Sequence, residues 1–199
     1  MTQDYQPLPF HHLESGVSYF RPKQQLPERV GADDPAIQAM TDLSQVTAYT
    51  TELTTPLGKA LDYMVKRGVR LLLTRDADGQ VVGLITSRDI EGEKPTRILA
   101  KAGGAWEDLL VADIMTLQPK LEVLLMKDVL KARVGDIIAS LRQAGRQHAM
   151  VVDHDPETGQ LAVRGIFSLS QIGLQLGLDI DPARQPTTYA ELEKAGVSL

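Results

Sequence analysis

The chain has 199 residues, 43% hydrophobic and 24% charged, with a formal net charge of −5 and no cysteine. This length suffices to bury a core, the acidic balance argues against binding nucleic acid as a polymer, and the absence of cysteine excludes disulfides, thiolate zinc sites and cysteine nucleophiles. No apolar stretch reaches the roughly 18 residues of a membrane-spanning helix, so no membrane partner is expected. The opening MTQDYQPLPFHHLESG has neither a basic region nor an apolar core, and a cytoplasmic location is expected. Residues 1–38 read as an N-terminal arm whose end, DDPAIQAM, forms a short capped helix approaching a first structural unit. His11, His12 and Glu14 lie close together, but without a further convergent group at defined spacing they are not assigned a metal.

A first unit follows. AMTDLSQVTAY (39–49) is a strand lead-in, and PLGKALDYMVKRG (56–68) sets Leu57, Leu61 and Met64 at helical spacing. Thr54 or Thr55 offers a capping hydroxyl before Pro56, and Gly68 stands where a left-handed C-cap stops a helix. The strand VRLLLT (69–74), the turn DADG (76–79), the strand QVVGLIT (80–86) and a polar junction with a helix, SRDI, come next. KAGGAWEDLL (101–110) belongs to a connector. Its Trp106 is expected to pack on the folded unit, a ligand-gating role being the other reading.

The order then recurs: DIMTLQPKLEVLL (113–125), RVGDIIASLRQAG (133–145), RQHAMVV (146–152), the turn DHDPETG (153–159), QLAVRGIFS (160–168) and LSQIGLQLG (169–177). Gly58 and Gly68 fall in register with Gly135 and Gly145, while Val134, Ile138 and Leu141 match the apolar positions of the first helix. The tail DPARQPTTYAELEKAGVSL carries a short amphipathic helix. The expected class is α+β, with two βαββα motifs whose sheets cover one another. Its parts are an arm (1–38), motif 1 (39–100), a connector (101–112), motif 2 (113–178) and a tail (179–199). No nucleotide-binding P-loop, GxGxxG or GxSxG is present, and no nucleophile–base set follows from spacing, so no enzyme activity is assigned.

The ending G-h-h-[ST]-x-x-[DN], here GLITSRD (83–89), and the duplicated Met40-Thr41 and Met115-Thr116 resemble the CBS domain, named after cystathionine β-synthase, over residues 39–177. A tandem pair is a Bateman module with pseudo-two-fold packing. The resemblance implies a homodimer and binding of an adenine nucleotide in the clefts between motifs. AMP, ADP or ATP are the implied ligands, with S-adenosylmethionine ranked behind them and no cofactor. It also implies regulation, exerted through an unidentified effector protein or through self-assembly.

On that reading Asp89 accepts both ribose hydroxyls in charge-assisted hydrogen bonds. Thr86 and free backbone N–H groups at the helix start meet a phosphate, and Gly83 leaves room for a close approach. Val46, Thr47 and Ala48 of the lead-in flank the adenine with Leu72 or Leu73, and Ile85 belongs to the same site. Arg88 points at phosphate or at solvent. Arg70 and His148 either assist a phosphate or serve the core, and both readings stand. In the second copy Ser168 keeps a hydroxyl, but Gln171 replaces the acid, so the second site is expected to be weak, empty or differently tuned. A competing reading makes Thr86 a helix cap and Asp89 its capping-box partner. The module is then a structural dimerisation unit with vestigial sites.

Overall fold

The computed structural model describes residues 24–177. Each half is built on one amphipathic helix. Helix α1 (Leu57–Arg67) buries Leu57, Ala60 and Met64 along one face, and Gly68 closes it at φ 65°, its N–H reaching the Met64 and Val65 carbonyls. That left-handed conformation favours glycine, which fixes the helix end. Strands β3 (Leu71–Arg75) and β4 (Val81–Thr86) follow as an antiparallel pair, with β2 (Thr50–Glu52) parallel to β3. Short helix α2 (Ser87–Glu91) and helix α3 (Glu93–Ala102) complete the half. The second half repeats this with β6 (Val123–Leu125), α5 (Met126–Val129), α6 (Val134–Ala144), β7 (His148–His154), β8 (Leu161–Ser168) and α7 (Leu169–Gln175). Gly145 ends α6 at φ 63°, as Gly68 ends α1.

The halves exchange their leading strands. Strand β1 (Thr41–Asp42) leaves its own half and pairs antiparallel with β8, Thr41 opposite Ile166. Strand β5 (Thr116–Leu117), preceded by the short helix α4 (Val111–Ile114), pairs with β4, Leu84 opposite Thr116. The two four-stranded sheets are therefore β2-β3-β4-β5 and β1-β8-β7-β6. Gly83 permits the crossing of β5, because a methyl there would run into the Thr116 carbonyl oxygen and lie 3.3 Å from the Met115 side chain. Gly165 does the same for β1, where a methyl would collide with the Met40 side chain.

Strand alternation sorts the apolar residues into three clusters. Leu72 and Ile85 turn toward α1 and pack with Leu57, Met64, Val111 and Ile114. Val151 and Phe167 turn toward α6 and pack with Ile138, Leu141, Ala36 and Met40. Leu71, Leu73 and Met150 point the other way and join the two sheets, with Leu84, Leu121 and Ile166 against them. The largest of these side chains each contribute about 1.5–3 kcal/mol through burial.

Several expectations are corrected. The segment expected to approach the first unit is a 3-10 turn, Ala36–Ala39, that packs on the second, because it travels with the exchanged β1. Pro56 itself occupies the N-cap of α1, and no side chain caps it, so Thr54 and Thr55 do not serve there. Asp153 and His154 extend β7 rather than turn, being paired with Ala162 and Leu161, and the hairpin closes at Asp155 and Gln160. Trp106 does pack on the fold, its ring 3.3 Å from where a side chain on Gly58 would begin. The residues His11, His12, Glu14 and the tail helix lie outside the described residues.

Candidate functional site

A cavity of about 310 Å³ opens between the two sheets, at the end where β4 finishes and β7 begins. Its floor is apolar: Leu71, Leu84, Met150 and Leu121 belong to the cluster that joins the sheets. Its rim is polar and charged, with Arg70, Thr86, Ser87, Arg88 and Asp89 from the first half. Thr116, Lys120, Glu122, Arg146, His148 and Ser170 face them from the second. The exchange of β5 explains this composition, since it carries the second lead-in, Thr116 to Glu122, alongside β4. Four cationic side chains stand against two carboxylates in a chain of net charge −5, so the cleft is a local positive site suited to an anion.

Asp89 is held from two sides. Its Oδ2 accepts the Thr86 backbone N–H at 3.0 Å and the Thr86 hydroxyl at 2.6 Å, while the Asp89 N–H donates to Thr86 Oγ1 at 3.2 Å. This is a complete capping box. The other oxygen, Oδ1, pairs with the ammonium of Lys94, and only 15% of the Asp89 side chain is exposed. The carboxylate thus caps its helix and also borders the cavity. The N–H groups of Thr86 and Asp89 are spent within that box and that of Ser87 on the Arg70 carbonyl, so these three are not free to meet a phosphate. The Thr86 hydroxyl is likewise turned onto Asp89. No comparable box closes the second half, where Ser168 makes no side-chain cap bond at the start of α7.

Arg70, Thr86, Arg88, Asp89 and His148 converge on the cleft. Leu72 and Ile85 do not: both are fully buried on the helix side of their sheet, and alternation assigns the cleft to Leu71 and Leu84 instead. Gly83 is packed under the Thr116 backbone rather than beside the cavity. Val46, Thr47 and Ala48 lie in the stretch that leads from β1 back to β2 and do not line the cavity, and of the three only Ala48 packs against the inter-sheet cluster. Ser168 stands opposite His148 in the β7–β8 register but outside the cleft lining. Lys120, Glu122 and Arg146 went unforeseen. Their signal is the repeat itself, because an exchanged lead-in brings the second copy's residues to the first copy's motif.

One contact joins the two halves at the cleft and another lies within its second wall. Arg70 donates to the Ser170 hydroxyl at 3.1 Å, tying the first hairpin to α7. Arg146 pairs with the Glu122 carboxylate at 2.6 Å. Burial, reinforced by the Arg70 charge and opposed by Asp89, lowers the pKa of His148 to about 4, so its imidazole is neutral near pH 7. Neutral His148 therefore adds no charge to the rim.

The family model for the CBS domain matches residues 37–93, the span that holds β1 to α2 and the capped GLITSRD turn. Residues 37–93 are a CBS domain. The second half repeats its strand and helix order, so the chain has the fold of a tandem CBS pair. Among solved structures, an uncharacterized conserved protein from Pyrococcus horikoshii is similar at TM-score 0.50 and 21% identity, over 72% of this chain and 92% of that one. A CBS-domain containing protein from Agrobacterium tumefaciens gives 0.48 and 19%, over 65% and 89%. The CBS-pair protein CBSX2 of Arabidopsis thaliana, in a structure with AMP, gives 0.47 and 20%, over 70% and 93%. These likenesses are of fold. No curated protein matches the chain. Among the described residues no helix is long and apolar enough to cross a membrane.

Proposed function

We propose that this CBS module is a cytoplasmic regulatory sensor that binds an adenosine nucleotide, AMP, ADP or ATP, in the cleft between its halves. The observation that carries the reading is the convergence of the Asp89 carboxylate, a positive rim and an apolar floor on one cavity. About 310 Å³ falls at the lower end of small-molecule sites, roughly 300–1,000 Å³. The base lies against Leu71, Leu84 and Met150, the ribose hydroxyls donate to Asp89, and the phosphates meet Arg88, Lys120 and Arg146. Binding across both halves favours one relative arrangement of the sheets, which is how occupancy alters contacts with an effector protein or a second copy of the chain.

Calorimetric titration with AMP, ADP, ATP and S-adenosylmethionine tests this. The expected result is one site per chain with a dissociation constant on the order of micromolar, about −8 kcal/mol. Absence of heat with all four ligands refutes it. That outcome supports a structural dimerisation module instead, a reading favoured by the engagement of Asp89 with Thr86 and Lys94.

A further inference from the structure

We propose that Lys94 is a latch on the ligand-binding carboxylate, released when a ribose takes its place; this rests on the nucleotide reading of the cleft. Oδ2 of Asp89 already carries two donors from Thr86, so Oδ1 is the oxygen left to receive a ribose hydroxyl. The donor on Oδ1 is Lys94, and its ammonium also lies 3.4 Å from the Ile114 carbonyl at the end of α4. One cation therefore ties together α2, where the carboxylate resides, α3, from which it projects, and α4. The chain runs from α4 directly into β5 and the residues Lys120 to Glu122 on the opposite wall of the cleft.

Oδ1 has two lone-pair sites and Lys94 fills one of them, so seating both adjacent ribose hydroxyls there requires Lys94 to leave. With 48% of its side chain exposed, Lys94 swings into water without being buried unpaired. Its departure frees the Ile114 carbonyl, so the tie between α2 and α4 is lost when the ligand arrives. Occupancy is thereby transmitted to the connector between the halves.

The competition is read with adenosine, which has the ribose but no charge, beside ATP, on the full chain as wild type, Lys94→Met and Asp89→Asn. Since a half-exposed ion pair is a weak competitor, Lys94→Met is expected to bind adenosine about 2- to 5-fold more tightly than wild type. Amide hydrogen exchange over residues 111–122 of wild type is expected to rise with ligand toward the level of ligand-free Lys94→Met. Unchanged or weaker adenosine binding by Lys94→Met, while Asp89→Asn loses binding, overturns the latch and leaves the sensor intact. If neither adenosine nor ATP binds wild type or Lys94→Met, the nucleotide reading fails and the latch with it.

Discussion

Replacing Asp89 by asparagine separates the two tasks that the structure gives this carboxylate. As a cap, it satisfies the Thr86 N–H and receives the Thr86 hydroxyl. An asparagine oxygen still accepts the N–H, so only part of the box is lost; boxes and caps are worth about 0.5–2 kcal/mol. The half-exposed link to Lys94 adds less than about 1 kcal/mol. A net destabilisation of about 1 kcal/mol lowers the melting temperature of a chain this size by about 2–4 °C. As a ligand group, the ionised carboxylate contributes about 1.5–3 kcal/mol per charged hydrogen bond. Losing the charge is therefore expected to weaken nucleotide binding on the order of 10- to 100-fold. Thr86→Ala is the companion variant: it strips the cap at a similar stability cost but leaves the charge, and its affinity is expected to stay within a few-fold of wild type. Thermal unfolding without ligand and calorimetry with it measure the two effects independently. Equal affinities for wild type and Asp89→Asn, with the melting shift still present, would mean that the carboxylate only finishes its helix.

Gly83→Ala puts a methyl against the Thr116 carbonyl, and a backbone atom yields only if β5 moves; overpacking of this kind costs about 1–3 kcal/mol, visible in urea denaturation, and is expected to weaken nucleotide binding too. His148 is neutral in the fold down to about pH 4 but protonates near 6.5 when unfolded, so the unfolded chain binds the extra proton between those values. Its contribution is complete above pH 6.5 and is lost as pH falls toward 4, by on the order of 3 kcal/mol in all. The stability difference between wild type and His148→Gln, followed by denaturation at several pH values, should shrink accordingly; a constant difference contradicts the assignment. Arg88→Ala and Lys120→Ala are expected to weaken ATP binding more than adenosine binding, and raising the salt concentration to do the same, since both residues stand exposed on the rim. Equal losses for the two ligands would place the phosphates elsewhere.

The repeat was legible because its punctuation is local. A glycine that must be left-handed ends α1 and α6 at matching positions, and the spacing of Leu57 and Met64 fixes which face is buried. Asp89 was legible as a residue with two roles, and the structure bears out the capping one directly. What the linear pattern concealed is long-range. In VRLLLT every residue from Leu71 to Leu73 is apolar, as expected of a strand covered on both faces, so periodicity cannot say which leucine meets the helix and which meets the other sheet. The exchange of β1 and β5 is hidden for a related reason. Each pairs through only two residues, and backbone ladders of that length carry no sequence signature beyond the glycine they cross, Gly165 or Gly83. Yet this exchange decides the chemistry of the cleft. Because Thr116 to Glu122 lie beside β4, the acid of the first copy shares its cleft with Lys120 of the second, and the packing of the two sheets adds Arg146. An isolated first half would have the Thr86–Asp89 box but neither Lys120 nor Arg146. The duplication is therefore required by the site itself and not only by the need to cover two sheets.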